Sequence, residues 1–205
     1  MNTKEKILLT ADELFARVGY DATSTREIAE QSGVNKALIH YHFKNKEALL
    51  GSVLEMYYTR LGAMLAQTIG VSGTFREKMT ALVSAYLEFL NQNRNFSRIV
   101  QHEMSGGANL GLIRDRMRPF FRLGRRMLEA EYPATRQGPL AAEQLLLSFF
   151  GLIVSYFSYA EVVGDLLGKD PLSPAALRRR REHVLAVMNT LIAAVEASKH
   201  EERGG

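Results

Sequence analysis

Two histidines, a tyrosine and a lysine fall within one short stretch, Lys36-Ala37-Leu38-Ile39-His40-Tyr41-His42-Phe43. These side chains can bind a metal, move protons, sit at a membrane surface or contact a nucleic acid, and spacing separates the cases. In a helix, His40 and His42 point about 200° apart, so one ion cannot take both from one face; helical zinc pairs stand at i and i+4. A strand would align them, but Asn35 immediately before is a good N-cap and argues for helix. Acid–base work needs a nucleophile or carboxylate held beside the imidazole, and none is placed here by local spacing. Elsewhere His102 and Glu103 are adjacent, but neighbours on a helix diverge by about 100° and form no ready dyad. The chain has no cysteine, which excludes a disulfide framework, a thiolate metal site and a cysteine nucleophile. The expectation is therefore a protein that is not an enzyme, with no cofactor and no metal.

Charge layout points toward phosphate. The net charge of +4 over 205 residues is modest, but Lys36, Lys44 and Lys46 lie in residues 31 to 46 with no acid among them. Lysine neutralises phosphate, His and Tyr donate hydrogen bonds to phosphate or base edges, and Ala37 and Leu38 offer apolar surface to a thymine methyl. A solvated helical face, or an adaptor whose basic helix binds an acidic protein, is the bland alternative.

The elements that must position these residues read as helices throughout. Ile7, Leu8, Ala11, Leu14, Phe15 and Val18 share one face of a first helix that stops at Gly19. Ser24 followed three residues later by Glu27 predicts a capping box opening a second helix, and Asn35 opens a third that runs to Phe43. Two short helices joined through Gly33 have helix-turn-helix dimensions. A long fourth helix opens near Lys46, and later ones are expected at about 74 to 91, 95 to 105, 110 to 131, 139 to 167 and 174 to 198, nine in all.

The segment Thr25 to Leu50, "TREIAEQSGVNKALIHYHFKNKEALL", resembles the DNA-binding region of TetR-family transcriptional regulators, and the likeness extends over residues 1 to about 50. The resemblance implies an all-α fold with a three-helix helix-turn-helix domain at 1–46 and an effector-binding and dimerisation domain at 47–205. It implies that Ser24 and Thr25 cap the second helix against phosphate and that Arg26 and Lys36 lie at the groove. It places Ala37 and Leu38 on the groove-facing side, gives His40, Tyr41 and His42 phosphate or base contacts, and has Lys46 hold the backbone. Leu38 and His40 depart from the usual family pattern, so the operator is not transferable from a relative.

The resemblance further implies a repressor that binds a palindrome in double-stranded DNA as a homodimer and is released by a small molecule enclosed by helices four to eight. Tyr57, Met64, Phe89, His102, Met104, Arg116, Phe120, Phe150 and Tyr156 are the candidate contacts, and their character points to a largely apolar effector. In helical projection Arg116 falls at the edge of the apolar side, where it must pair with an acid such as Glu103 or serve an anionic ligand. Gln144 to Ala160 carries no charge over 17 residues, near the lower limit of a membrane span, but its serines, tyrosines and acidic flanks favour a buried helix and no membrane. Leu177, Val184, Met188, Leu191 and Val195 form a stripe suited to helix-on-helix packing, and two such helices per subunit could pair with their copies as a four-helix interface. The N-terminus carries no secretory pattern, and a cytoplasmic protein is expected.

Overall fold

The computed structural model describes residues 1–204, with side chains described through Ala197. Among them the secondary structure is helical: α1 (Thr3–Val18), α2 (Thr25–Ser32), α3 (Lys36–Phe43), α4 (Lys46–Ile69), α5 (Phe75–Gln92), α6 (Arg94–Met104), α7 (Leu110–Glu131), α8 (Ala142–Ser158), α9 (Ala160–Leu167) and α10 (Pro174–Gly204), with a 3-10 turn at Pro133–Arg136. The expected helix over 139 to 167 is two helices. Tyr159 leaves helical geometry with φ −106° and ψ 25°, and the axes of α8 and α9 differ by 76° there. The described residues thus hold ten α-helices where nine were expected. No single helix among them is long and apolar enough to cross a membrane.

Caps set the N-terminal boundaries. The Asn2 side chain accepts the Glu5 N–H at 2.9 Å while the Glu5 carboxylate accepts the Asn2 N–H at 2.9 Å, a complete capping box that starts α1. At α2 the structure shows the Ser24 half of the predicted box, with its hydroxyl accepting the Glu27 N–H at 3.0 Å. Asn35 accepts from the Ala37 N–H at 2.9 Å, the predicted cap of α3.

The chain packs as two units, Met1–Gly62 with Asn93–Met117, and Ala63–Gln92 with Arg118–Gly205. In the first, α1 packs on α2, α3 and α6, and Ile7, Leu14, Ile28, Ile39, Leu49, Leu50 and Val53 are completely sealed. A buried polar knot pins three helices here. Asp12 of α1 accepts from the Tyr57 hydroxyl of α4 at 2.7 Å and from the Asn95 side chain of α6 at 2.9 Å. In the second unit Tyr132, Leu145, Met188, Ile192 and Val195 form a core against which Phe75, Met79, Val83, Leu128 and Phe149 are only partly buried. The α10 stripe packs on other helices as expected, and does so within the unit: Val184, Met188 and Val195 are buried, and Leu191 packs on the same cluster, so these side chains are not left for a four-helix interface with a second copy.

Candidate nucleic-acid interface

Helix α2 ends at Gly33, whose left-handed φ of 67° a side chain would resist, and the chain turns into the Asn35 cap. This turn sets α3 so that Ile39 and Phe43 are buried while Lys36, Ala37, Leu38, His40 and Tyr41 are exposed, with His42 half-buried. Tyr41 is 80% exposed and Leu38 38%, so the helix presents two large side chains to water within one turn. The His42 ring meets Tyr41 edge-on at 5.0 Å. Ser24, exposed beside half-buried Thr25, keeps its own O–H for a donor role. Arg26 pairs with Glu30 at 2.9 Å on the water-facing side of α2.

The far end of α3 is held by an unusual turn. Lys44 has φ 62° and ψ −54°, and the Asn45 N–H donates to the Phe43 carbonyl at 2.7 Å, which together make the rare, strained classic γ-turn. His40 Nδ1 lies 2.9 Å from the Lys44 carbonyl, so the ring donates from Nδ1 and, when neutral, shows an acceptor at Nε2. Neutral His40 can therefore accept from an exocyclic amine of adenine or cytosine, and only the imidazolium can donate to phosphate. Lys46 is more embedded than the resemblance implied. Its ammonium donates to the carbonyls of Tyr20 and Thr23, both at 2.8 Å, and lies 4.1 Å from the Tyr20 ring centroid. One proton of the three remains for phosphate.

Comparison with known proteins agrees with this geometry. Residues 7–53 match the family model described as bacterial regulatory proteins of the tetR family, and residues 76–188 match the tetracyclin repressor-like C-terminal domain. The chain belongs to the TetR family. A probable HTH-type transcriptional regulator of Bacillus subtilis, YttP, is 33% identical over 113 residues, covering 54% of each chain. The chain spans about half the length of that curated relative. Among solved TetR-like structures, a putative fatty acid metabolism regulator of Clostridium perfringens superposes with a TM-score of 0.73 at 21% identity, covering 88% of this chain and 97% of that one. AibR, solved with isovaleryl coenzyme A and operator DNA, superposes with a TM-score of 0.72 at 18% identity, covering 91% of this chain and 97% of that one. At such identities the likeness establishes the shared TetR fold.

The residues expected around the effector divide between the two units. Tyr57, His102, Met104 and Arg116 lie in the first; Met64, Phe89, Phe120, Phe150 and Tyr156 lie in the second. Tyr57 is buried with its hydroxyl on Asp12, and burial together with that carboxylate pushes its pKa up. His102 and Met104 are exposed, while Glu103 is buried and accepts from the backbone and side-chain N–H of Asn109 at 3.2 and 3.1 Å; the pair is no catalytic dyad. Arg116 does pair internally, but its partner is Glu55, at 3.2 Å, rather than Glu103. It also donates to the carbonyls of Gly51 at 3.0 Å and Leu112 at 3.2 Å, tying the start of α7 to α4. Arg116 and Glu55 stand on the wall of an open cleft of about 870 Å³ in the first unit, with Lys4, Phe43, Gly51 and Arg60 among its other walls.

In the second unit Phe150 meets Phe121 at 5.8 Å, and the Tyr156 hydroxyl donates to the Pro171 carbonyl at 2.6 Å. Arg180, within the run Arg178-Arg179-Arg180-Arg181, lies 4.7 Å from the Tyr156 ring centroid and donates to the Leu152 carbonyl. Burial pulls its pKa down. Sequence reasoning missed three features. Asp12 looks like one more surface acid on an amphipathic helix, the Lys44 turn has no glycine to announce it, and Tyr86 sits unremarked in the middle of α5.

Proposed function

We propose that this chain is a ligand-responsive repressor that binds a palindromic operator as a homodimer and is released by a small-molecule effector, acting in the cytoplasm. The observation that carries the reading is the outward face of α3. A capped helix-turn-helix presents Lys36, Ala37, Leu38, His40 and Tyr41 together to solvent, on a helix of the length that enters a major groove. Ser24, Thr25, Arg26, His42 and Lys46 flank that face and are assigned to phosphate. The DNA-reading function belongs to residues 1–46, and effector binding with dimerisation to 47–205.

Dimerisation is assigned to the exposed sides of α8 and α10, because the apolar stripe of α10 is occupied inside the subunit. Gly151 of α8 and Ala186, Thr190 and Ala193 of α10 are exposed and small, and a Cβ added at Gly151 meets nothing within 4 Å. Small residues let helices approach closely. Two copies related by a two-fold axis would carry their α3 helices about 34–36 Å apart, to read successive major grooves.

The effector assignment is to an acyl compound. The partly buried aromatic side chains of the second unit, Phe75, Phe121, Phe149 and Phe150, support an apolar ligand, and acyl chemistry is named for two structural neighbours, one a putative fatty acid metabolism regulator and the other bound to isovaleryl coenzyme A. For release, the ligand must bind the DNA-free state better than the DNA-bound one, by about 1–3 kcal/mol in typical cases.

A salt titration with duplex DNA tests the interface. Affinity should fall as a power of salt concentration. Lys36→Ala should weaken all duplexes alike and lower the salt slope by about one, whereas Leu38→Ala should change sequence preference with the slope unaltered. Duplex binding indifferent to both substitutions would sink the assignment.

A further inference from the structure

Interior tyrosines in a helical protein have to place their hydroxyls, and most here do. Tyr57 donates to Asp12, Tyr132 to Glu196 at 3.0 Å and Tyr156 to Pro171. Tyr86 differs. Its position continues the inward side of α5, in register with Phe75, Met79 and Val83, which pack on the core of the second unit, and with Leu90, which is 1% exposed. Yet among the described residues no group accepts from or donates to its hydroxyl. A phenol hydroxyl on the inward side of a packed helix ordinarily finds a protein partner, and one without calls for a reason.

The reason is visible in what surrounds the oxygen. Among the described residues, the side-chain polar atoms that are both sealed and unpartnered are Ser97 Oγ and Arg180 Nε. The Tyr86 oxygen is not one of them, and the residue as a whole is only half-buried. The hydroxyl therefore borders space that a water-sized sphere can enter, on the inward side of a helix that packs against α8 and α10. Burial raises the pKa of the phenol well above its ordinary value, so it stays neutral and protonated at any physiological pH. It offers no charge to a cation, and its O–H can be given to an acceptor.

We infer that Tyr86 is the specificity-determining residue for the effector, donating a hydrogen bond to the acyl carbonyl oxygen of a ligand whose chain lies against the partly buried apolar side chains of the second unit. The inference rests on the acyl-effector reading above and gives it a residue. A free fatty acid and a coenzyme A thioester share that carbonyl, and binding measurements separate the two sources.

The experiment uses the full chain and the Tyr86→Phe variant, which removes one oxygen. The probes are fatty acids and their coenzyme A thioesters from butanoyl to hexadecanoyl, and the matching S-alkyl coenzyme A thioethers, which keep the chain and lose the carbonyl. The wild type should bind the best thioester or acid about five- to tenfold more tightly than the chain lacking the carbonyl, and Tyr86→Phe should abolish that difference. Whether acid or thioester binds better names the source. Without probe, Tyr86→Phe should leave the melting temperature unchanged or higher, while Tyr132→Phe should lower it. A carbonyl preference that survives in Tyr86→Phe, a wild type that binds no probe, or a melting temperature that falls as far as that of Tyr132→Phe would each overturn the inference. Duplex binding by both proteins without probe is measured alongside. A wild type that binds no duplex defeats the regulator reading itself, whatever the probes show, while intact duplex binding with no carbonyl preference defeats this inference alone.

Discussion

The two units solve the burial problem differently. The first closes its core completely: Ile7, Leu14, Ile28, Ile39, Leu49, Leu50, Ile99 and Ile113 are sealed or nearly so, and its buried Asp12 has a donor on each carboxylate oxygen. The second seals Leu90 and Val184, but it leaves Phe121, Phe149 and Phe150 partly open and, among the described residues, the Tyr86 hydroxyl without a partner; each unit also holds one sealed, unpartnered polar atom, Ser97 Oγ in the first and Arg180 Nε in the second. Protein interiors normally pack to the density of organic crystals, so apolar side chains left partly open in the second unit call for a reason. On the function proposed above, the first unit holds its recognition helix rigidly, and the second keeps room for a ligand and gives up some stability for it.

The largest effect that can break this comparison is in the cores. Leu50→Ala should cost about 3–5 kcal/mol in urea unfolding, because its tight surroundings cannot collapse into the cavity, and Ile192→Ala should fall near the low end of the usual range, about 2 kcal/mol. Equal losses would erase the distinction. Next, Tyr57→Phe strips one donor from the buried Asp12 carboxylate and should cost about 1–3 kcal/mol, against a change near zero for Tyr86→Phe.

A smaller effect sits at the Lys44 turn. Lys44→Gly relieves a backbone that only glycine adopts freely and should stabilise the fold by about 1 kcal/mol. It should also weaken operator binding more than Lys44→Ala, since it loosens the angle between α3 and α4 as well as removing a charge. Lys44→Gly and Lys44→Ala with the same operator affinity would show that the turn does no positioning.

The smallest is a pH effect. Burial raises the Asp12 pKa above 3.8 despite the lowering influence of the Asn95 and Tyr57 hydrogen bonds. Folding therefore takes up a proton between 3.8 and the raised value, and this group's contribution to stability declines as pH rises through that window. Asp12→Asn should remove that component of the slope, as followed by urea midpoints across acidic pH.

The same contrast explains what the sequence disclosed. Periodicity and capping residues placed the helices around α3 and chose its buried and exposed sides correctly, because Asn35, Ile39 and Phe43 act through local geometry. Interactions between distant segments were not legible. Lys46 reaching back to Tyr20, Arg116 choosing Glu55 over Glu103, and the α10 stripe packing within its own unit all depend on which helices become neighbours. Local propensity is silent on that. The break at Tyr159 was hidden by an apolar run continuous across it.

The most direct test is selection of the purified protein against a randomised duplex library at near-physiological salt. The account predicts recovery of an inverted repeat whose half-site centres are separated by about one helical turn or a multiple of it, with base preference at one position in each half altered by Leu38→Ala. Recovery of no specific sequence, from protein denatured and refolded to remove any bound ligand, would contradict it.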